Sequence, residues 1–196
     1  SFPSTDIFRV TLPSSISTIG TLDSVSITYS GTPPSVSGQE EGFQRGELPA
    51  GSGNWYIYTL SESYEDKDWW PCKADMQDKI DSMDIYITTP LGNLAASNGK
   101  LIGIEEVDNK LIHHWRHRHP ICAYLVALAV TNYTSYNQYV PLPDGDSIHI
   151  LNYVYPESLT QAQGLTPATV DIMQFYNERF IIYPWADEKY GHAQFG

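Results

Sequence analysis

Cysteine is scarce: Cys72 and Cys122 are the only two in 196 residues. That excludes a disulfide framework and a four-cysteine zinc ribbon. We read both as free buried thiols, with a single bridge as the alternative in an exported chain. Positive charge is scarce as well. Eleven Lys and Arg stand against 23 Asp and Glu, a formal net charge of −12. Phosphate recognition needs a basic face, so neither nucleic acid nor an anionic membrane surface is expected as a partner. No apolar run approaches the roughly 20 residues of a membrane span, and no charged-then-apolar signal segment opens the chain. The sequence also lacks a Gly-x-Ser-x-Gly elbow, a P-loop, a complete Gly-x-Gly-x-x-Gly and a His-Glu-x-x-His pair. No catalytic residue and no metal ligand can therefore be assigned from motifs.

What is abundant is aromatic surface, with 14 Tyr and 5 Trp among 41 % hydrophobic residues, enough for a packed core. Residues 6–12 and 23–30 alternate polar with apolar, which predicts two half-buried strands. A Gly-, Pro- and Ser-rich stretch over 30–53 predicts a long surface excursion. Further strands are predicted over 55–59, 84–89, 94–97, 101–107, 110–119 and 147–155. Asn98-Gly99 and Asp108-Asn109 read as hairpin turns. The unbroken apolar run 124–130 reads as a fully buried strand. After Glu157 the texture changes. Thr166-Pro167 opens a helix, with Thr as N-cap, that carries Val170, Met173, Phe175, Tyr176 and Phe180. One more strand is predicted near 189–195. The order of elements implies a mainly β fold over 1–157 and an α-containing unit beginning at 158.

Candidate chemistry is thin. His113, His117 and His119 share one face of a strand, but Arg116 and Arg118 interrupt them, and cations repel a dication. A solvated, weakly pH-sensitive strand is the expectation. Glu62, Glu65, Asp66 and Asp68 read as a charged loop, and their spacing matches no EF-hand. Asp78, Asp81 and Asp84 read as the wet face of one turn. Asn132-Tyr-Thr134 is a glycosylation sequon of low specificity. From the residues alone the chain is an acidic β-rich module leading into another unit.

Longer motifs add a resemblance. Thr59-Leu-Ser-Glu-Ser-Tyr-Glu-Asp-Lys-Asp-Trp-Trp-Pro-Cys72, then Asp78 through Pro90, resembles the N-terminal β domain of M1 zinc aminopeptidases, the aminopeptidase N-like gluzincins. The agreement runs on through Ala96-Ser-Asn-Gly99, His119 through Ala129, Phe175-Tyr-Asn-Glu-Arg-Phe180 and Tyr183 through Tyr190. Trp-Trp-Pro-Cys-Lys resembles the bacterial, Bacteroidetes-type form. The resemblance implies an antiparallel curved sheet or sandwich with a short helical tail, and a parent enzyme that hydrolyses N-terminal residues from peptides. Its zinc ligands are expected beyond Gly196, and several strands before Asp6, so this piece is expected to hold no zinc and to be inactive alone. The implied partners are peptide substrates and the rest of the catalytic domain, with self-association of the exposed fragment. An unpaired sheet edge at 6–12 or its neighbours and an apolar face of Met173, Tyr176, Phe180, Tyr183 and Trp185 would both be responsible. The parent is expected to be exported.

The resemblance also implies one site residue. The family places an acidic residue nine positions before the Pro of Pro-Cys, which is Glu62 counted back from Pro71. Its carboxylate would accept charge-assisted hydrogen bonds from the substrate's α-ammonium group. The family's preceding Gln is Leu60 here. Two rivals remain: a non-catalytic β-sandwich binding module, with glycans suggested by the aromatics, and an M1-like pseudo-enzyme scaffold.

Overall fold

Alternation needs a partner strand before it becomes a sheet, and the chain satisfies this unevenly. The structure, a computed structural model, describes residues 7–34, 42–62, 64–73 and 75–195. Four antiparallel strands form one sheet in the order β1 (Gly42–Glu47), β2 (Trp55–Leu60), β7 (Leu128–Thr131) and β4 (Leu94–Ser97). A second sheet sets β6 (Lys110–His117) between β3 (Met83–Pro90) and β5 (Lys100–Val107). In the third, β9 (Ser147–Val154) runs antiparallel to β8 (Thr134–Pro141) and parallel to β10 (Tyr190–Ala193). Between β9 and β10 lie the helices α1 (Leu159–Leu165) and α2 (Pro167–Arg179). The mainly β fold of antiparallel sheets with a short helical segment is as expected.

The three sheets share one core. Tyr58 of β2, Ala96 of β4, Trp115 of β6, Ala129 of β7 and Leu151 and Tyr153 of β9 meet there with Tyr133 and Tyr155. Successive side chains of a strand point to opposite faces. So β9 offers Leu151 and Tyr153 to this core and Ile148 and Ile150 to a second one, with Val140 and Met173 of α2.

Several expectations need correction. Residues 8–34 run as irregular chain, with Val25, Ile27 and Tyr29 exposed. Of the strand expected over 6–12, Asp6 lies outside the described residues and Ile7 forms only a single bridge. The excursion over 30–53 holds β1, hidden from pattern reading by two glycines and two charges in Gly-Phe-Gln-Arg-Gly-Glu. The run 124–130 is broken by a 3-10 turn over Ala123–Leu125, and Leu125 is exposed. The cause is Asn98: its Nδ2 donates to the Leu125 carbonyl at 3.0 Å and its Oδ1 accepts from the Ala127 N–H at 2.7 Å, spending groups that a ladder would need. For the same reason Asn98-Gly99 closes no hairpin. It passes the chain from the sheet of β4 to that of β5, with Gly99 at φ 77°. Asp108-Asn109 does close one, both residues at positive φ as a type I′ turn requires. Thr166 makes no side-chain cap, because its hydroxyl pairs with the Tyr136 hydroxyl at 3.0 Å.

Candidate functional site

Glu62 follows directly from β2, in a turn whose base is fixed from both sides. Buried Ser61 accepts a hydrogen bond from the Trp69 indole N–H at 3.0 Å, while Leu60 packs on the shared core. Glu62 itself is exposed, and among the described residues nothing pairs with it. Its acidic neighbours behave differently. Asp66 is buried at the start of a 3-10 turn over Asp66–Asp68. Cys72 and Cys122 are free, and burial, reinforced by the Asp66 carboxylate, pushes the Cys72 thiol up to about 12.

The histidine run is not a solvated strand. On β6 the odd positions point inward, leaving His113 fully buried and His117 at 7 % exposure. His117 Nδ1 donates to Glu188 Oε2 at 2.6 Å, and the Arg118 backbone N–H donates to Glu188 Oε1 at 2.6 Å. His119 Nε2 meets Asp187 at 3.0 Å. On the outward face Asp84 collects Arg118, His114 and Arg116, which hold its carboxyl well below the usual range. Asp84 therefore lies on β3 as an ion-pair hub, not on the wet face of a helical turn. His192 Nδ1 sits 2.8 Å from Asn152 Oδ1, and His149 Nε2 sits 2.7 Å from Asn137 Oδ1. His114, His117, His119, His149 and His192 are so committed, and buried His113 has only the Ile87 carbonyl at 3.4 Å from its Nδ1, so these histidines do not fit a zinc ion. Among the described residues no three His, Cys, Asp or Glu side chains converge, and no step of metal chemistry is assigned to them.

The seam between β6 and the tail after α2 went unread in the sequence. Its signal is Asp187-Glu188-Lys189, three charges flanked by aromatics in an apolar stretch. Lys189 lies 5.0 Å over the Trp115 ring and donates to the Ser97 carbonyl at 3.0 Å. Burial pulls its ammonium down to about 8, partly opposed by Glu188. It lines a cavity of about 250 Å³ between β2, β4, β7, β9 and β10, walled by Tyr58, Ala129, Leu151, Tyr153 and Phe195. Glu62 is outside that lining.

No protein-family model and no curated protein matches this chain. Solved structures do. An M1 zinc metallopeptidase variant from Deinococcus radiodurans bound to a Tyr-Ser-Ala substrate aligns over 83 % of this chain with TM-score 0.62 and 22 % identity. A two-domain M1 zinc metallopeptidase variant bound to L-arginine aligns over 84 % with TM-score 0.60 and 21 % identity. Aminopeptidase A of Legionella pneumophila, in complex with aspartic acid, aligns over 64 % with TM-score 0.56 and 20 % identity. The chain spans 36 %, 35 % and 15 % of those structures, respectively. None of them supports the Bacteroidetes-type assignment. The mainly antiparallel sheets with their short helical segment share the fold of these M1 zinc metallopeptidases, in which they match the N-terminal part.

Proposed function

We propose that this chain is part of a zinc metallo-aminopeptidase that releases N-terminal residues from peptides, supplying its β domain over 1–157 and the opening of its catalytic domain over 158–196. The supporting observation is a coincidence of spans. The fold agreement covers 83 % of the chain, and the sequence motifs resembling M1 enzymes fall in the same order along it. That the similar structures hold a tripeptide substrate in one case and a free amino acid in another supports peptides as the substrate class in this reading. Zinc belongs, in this reading, to residues outside this chain, and the chain alone is inactive. The parent is exported, which cell fractionation checks.

Within that enzyme Glu62 measures the distance from the free amine to the scissile bond. An exposed carboxylate on a turn pinned by Ser61 and Trp69 suits the task, since the anchor must hold still while its oxygens stay open to an ammonium group. The test is Glu62→Gln in the full-length protein, assayed on amino-acid anilides. One charge-assisted contact contributes roughly 1.5–3 kcal/mol, so kcat/KM should fall about ten- to a hundredfold with the melting curve unchanged. Unchanged kinetics would return Glu62 to a solvated loop. Full-length protein without chelator-sensitive peptidase activity would overturn the reading as a whole.

A further inference from the structure

We propose that the cavity between β2, β4, β7, β9 and β10 binds a small monocarboxylate with an apolar body, the anion held by the Lys189 ammonium. This goes beyond the peptidase reading and does not rest on it. The walls set the body: Tyr58, Leu151, Tyr153 and Phe195 present apolar and aromatic surface, and about 250 Å³ exceeds the roughly 150 Å³ that suffices for benzene. The polar lining sets the head, because most of it is already spent. Thr59 Oγ1 accepts from the Leu128 N–H at 3.0 Å, Ser97 Oγ donates to the Ala127 carbonyl at 2.7 Å, and both ends of the Asn98 amide are bonded. His192 Nδ1 is turned to Asn152.

Lys189 is the exception. An ammonium has three donors, and here one goes to the Ser97 carbonyl while the Trp115 face takes part of the charge. Among the described residues no carboxylate lies within ion-pairing distance, in a chain with 23 acidic residues. Glu188, next in sequence, is turned away to His117 and Arg118. A cation taken out of water without a counterion is costly, and an entering carboxylate supplies what is missing. The apolar walls favour a singly charged acid over a phosphate, whose denser charge would lose more hydration.

Binding of the acid should weaken as pH rises through about 8, where Lys189 loses its proton. Among the described residues the other titratable groups of the lining and its surroundings are Glu188 and Tyr190 beside Lys189 in the chain, His192 on β10, Tyr153 and His149 on β9 and Tyr58 on β2, with Lys100 of β5 acting on His149. Burial lowers both histidines, so they are neutral in this range, and raises Tyr153 to about 12.

The experiment titrates the 196-residue chain with phenylacetate and with phenylacetamide, its uncharged isostere, followed by calorimetry and by the amide and indole resonances. Phenylacetate should bind at least tenfold more tightly, shift the Trp115 indole N–H and the amides of β10, and lose that advantage near pH 10. Lys189→Met should erase the difference between the two probes. Equal affinities for the probes in the unaltered chain, or shifts remote from Trp115 and β10, would overturn the proposal. The probe comparison decides by itself should Lys189→Met fail to fold.

Discussion

Removing the Glu188 carboxylate should loosen the attachment of the tail to the β core. Glu188 is 8 % exposed and receives two charge-assisted hydrogen bonds at 2.6 Å, from His117 Nδ1 and from the Arg118 backbone N–H. In Glu188→Ala both donors lose their acceptor inside the protein. Each orphaned donor costs about 1–3 kcal/mol, and two donors are orphaned together. We expect a loss of about 3–5 kcal/mol for Glu188→Ala, within the sum of the two. Glu188→Gln, which keeps one acceptor and loses the charge, should lose about 1–3 kcal/mol. Urea unfolding followed by tryptophan fluorescence measures both, and combining Glu188→Ala with His117→Ala should cost less than the sum of the two. Because the contact bridges β6 to the segment before β10, hydrogen exchange of β10 should accelerate more than that of β3 or β5. A Glu188→Ala variant within about 0.5 kcal/mol of the parent would behave as a surface substitution and refute the reasoning.

Gly99→Ala should destabilise by at least 2 kcal/mol on the order-of-magnitude scale for backbone strain, since φ is 77° and the new Cβ would run into the Arg116 carbonyl; an unchanged urea midpoint would contradict this. Arg118, His114 and Arg116 lower the Asp84 carboxyl below its ordinary 3.8, so its contribution is present above that value and is lost as pH falls below it; acid titration of Asp84→Asn should show a shallower loss of stability in that window, and an identical slope would refute the hub. Ile172, Phe175, Phe180 and Ile181 are exposed around α2, and burying each contributes about 1.5–3 kcal/mol, so the isolated chain should self-associate with rising concentration in sedimentation; a monodisperse monomer at high concentration would show the face to be inert.

Which elements could be read in advance follows from where their information resides. The Asp108-Asn109 hairpin is local: two residues that tolerate positive φ sit between two alternating arms, and the turn sets the register of β5 and β6 until a bulge between Leu101 and Gly103 shifts it. The strand pattern over 23–30 is equally clear, yet alternation specifies two faces and not a partner, and the residues run irregularly. Strand β8 shows the converse. Thr-Ser-Tyr-Asn-Gln-Tyr-Val-Pro looks too polar for a strand, but β9 supplies its ladder and Val140 reaches a core. In α2 the helical spacing was legible and the buried face was not: Met173 is buried while Phe175, Tyr176 and Phe180 are exposed. Tyr183 is likewise half-buried against the second core, so two of the five residues expected on the apolar face point inward.

The site was legible in a narrower way, and the reason is physical. Counting from Pro71 picks out Glu62 through the family resemblance, and the turn that carries it is short-range, its base held by the Ser61–Trp69 hydrogen bond; that it anchors a substrate amine is the proposal made above. The pairs that organise the seam are separated by 71 residues for His117 and Glu188 and by 92 for Lys189 and Ser97, and no local pattern marks them. Arg116 and Arg118 did carry a usable signal, since cationic neighbours argue against zinc; the same two side chains prove to be the cations of the Asp84 hub. Alternation then requires His113 and His117 to face the other way, into the protein, where His117 must find a carboxylate or stay unpaired. The chain supplies Glu188 for that purpose. Its neighbour Lys189 is left over an indole ring with, among the described residues, no carboxylate at ion-pair distance, and the direction of each charge at the seam follows from that pairing.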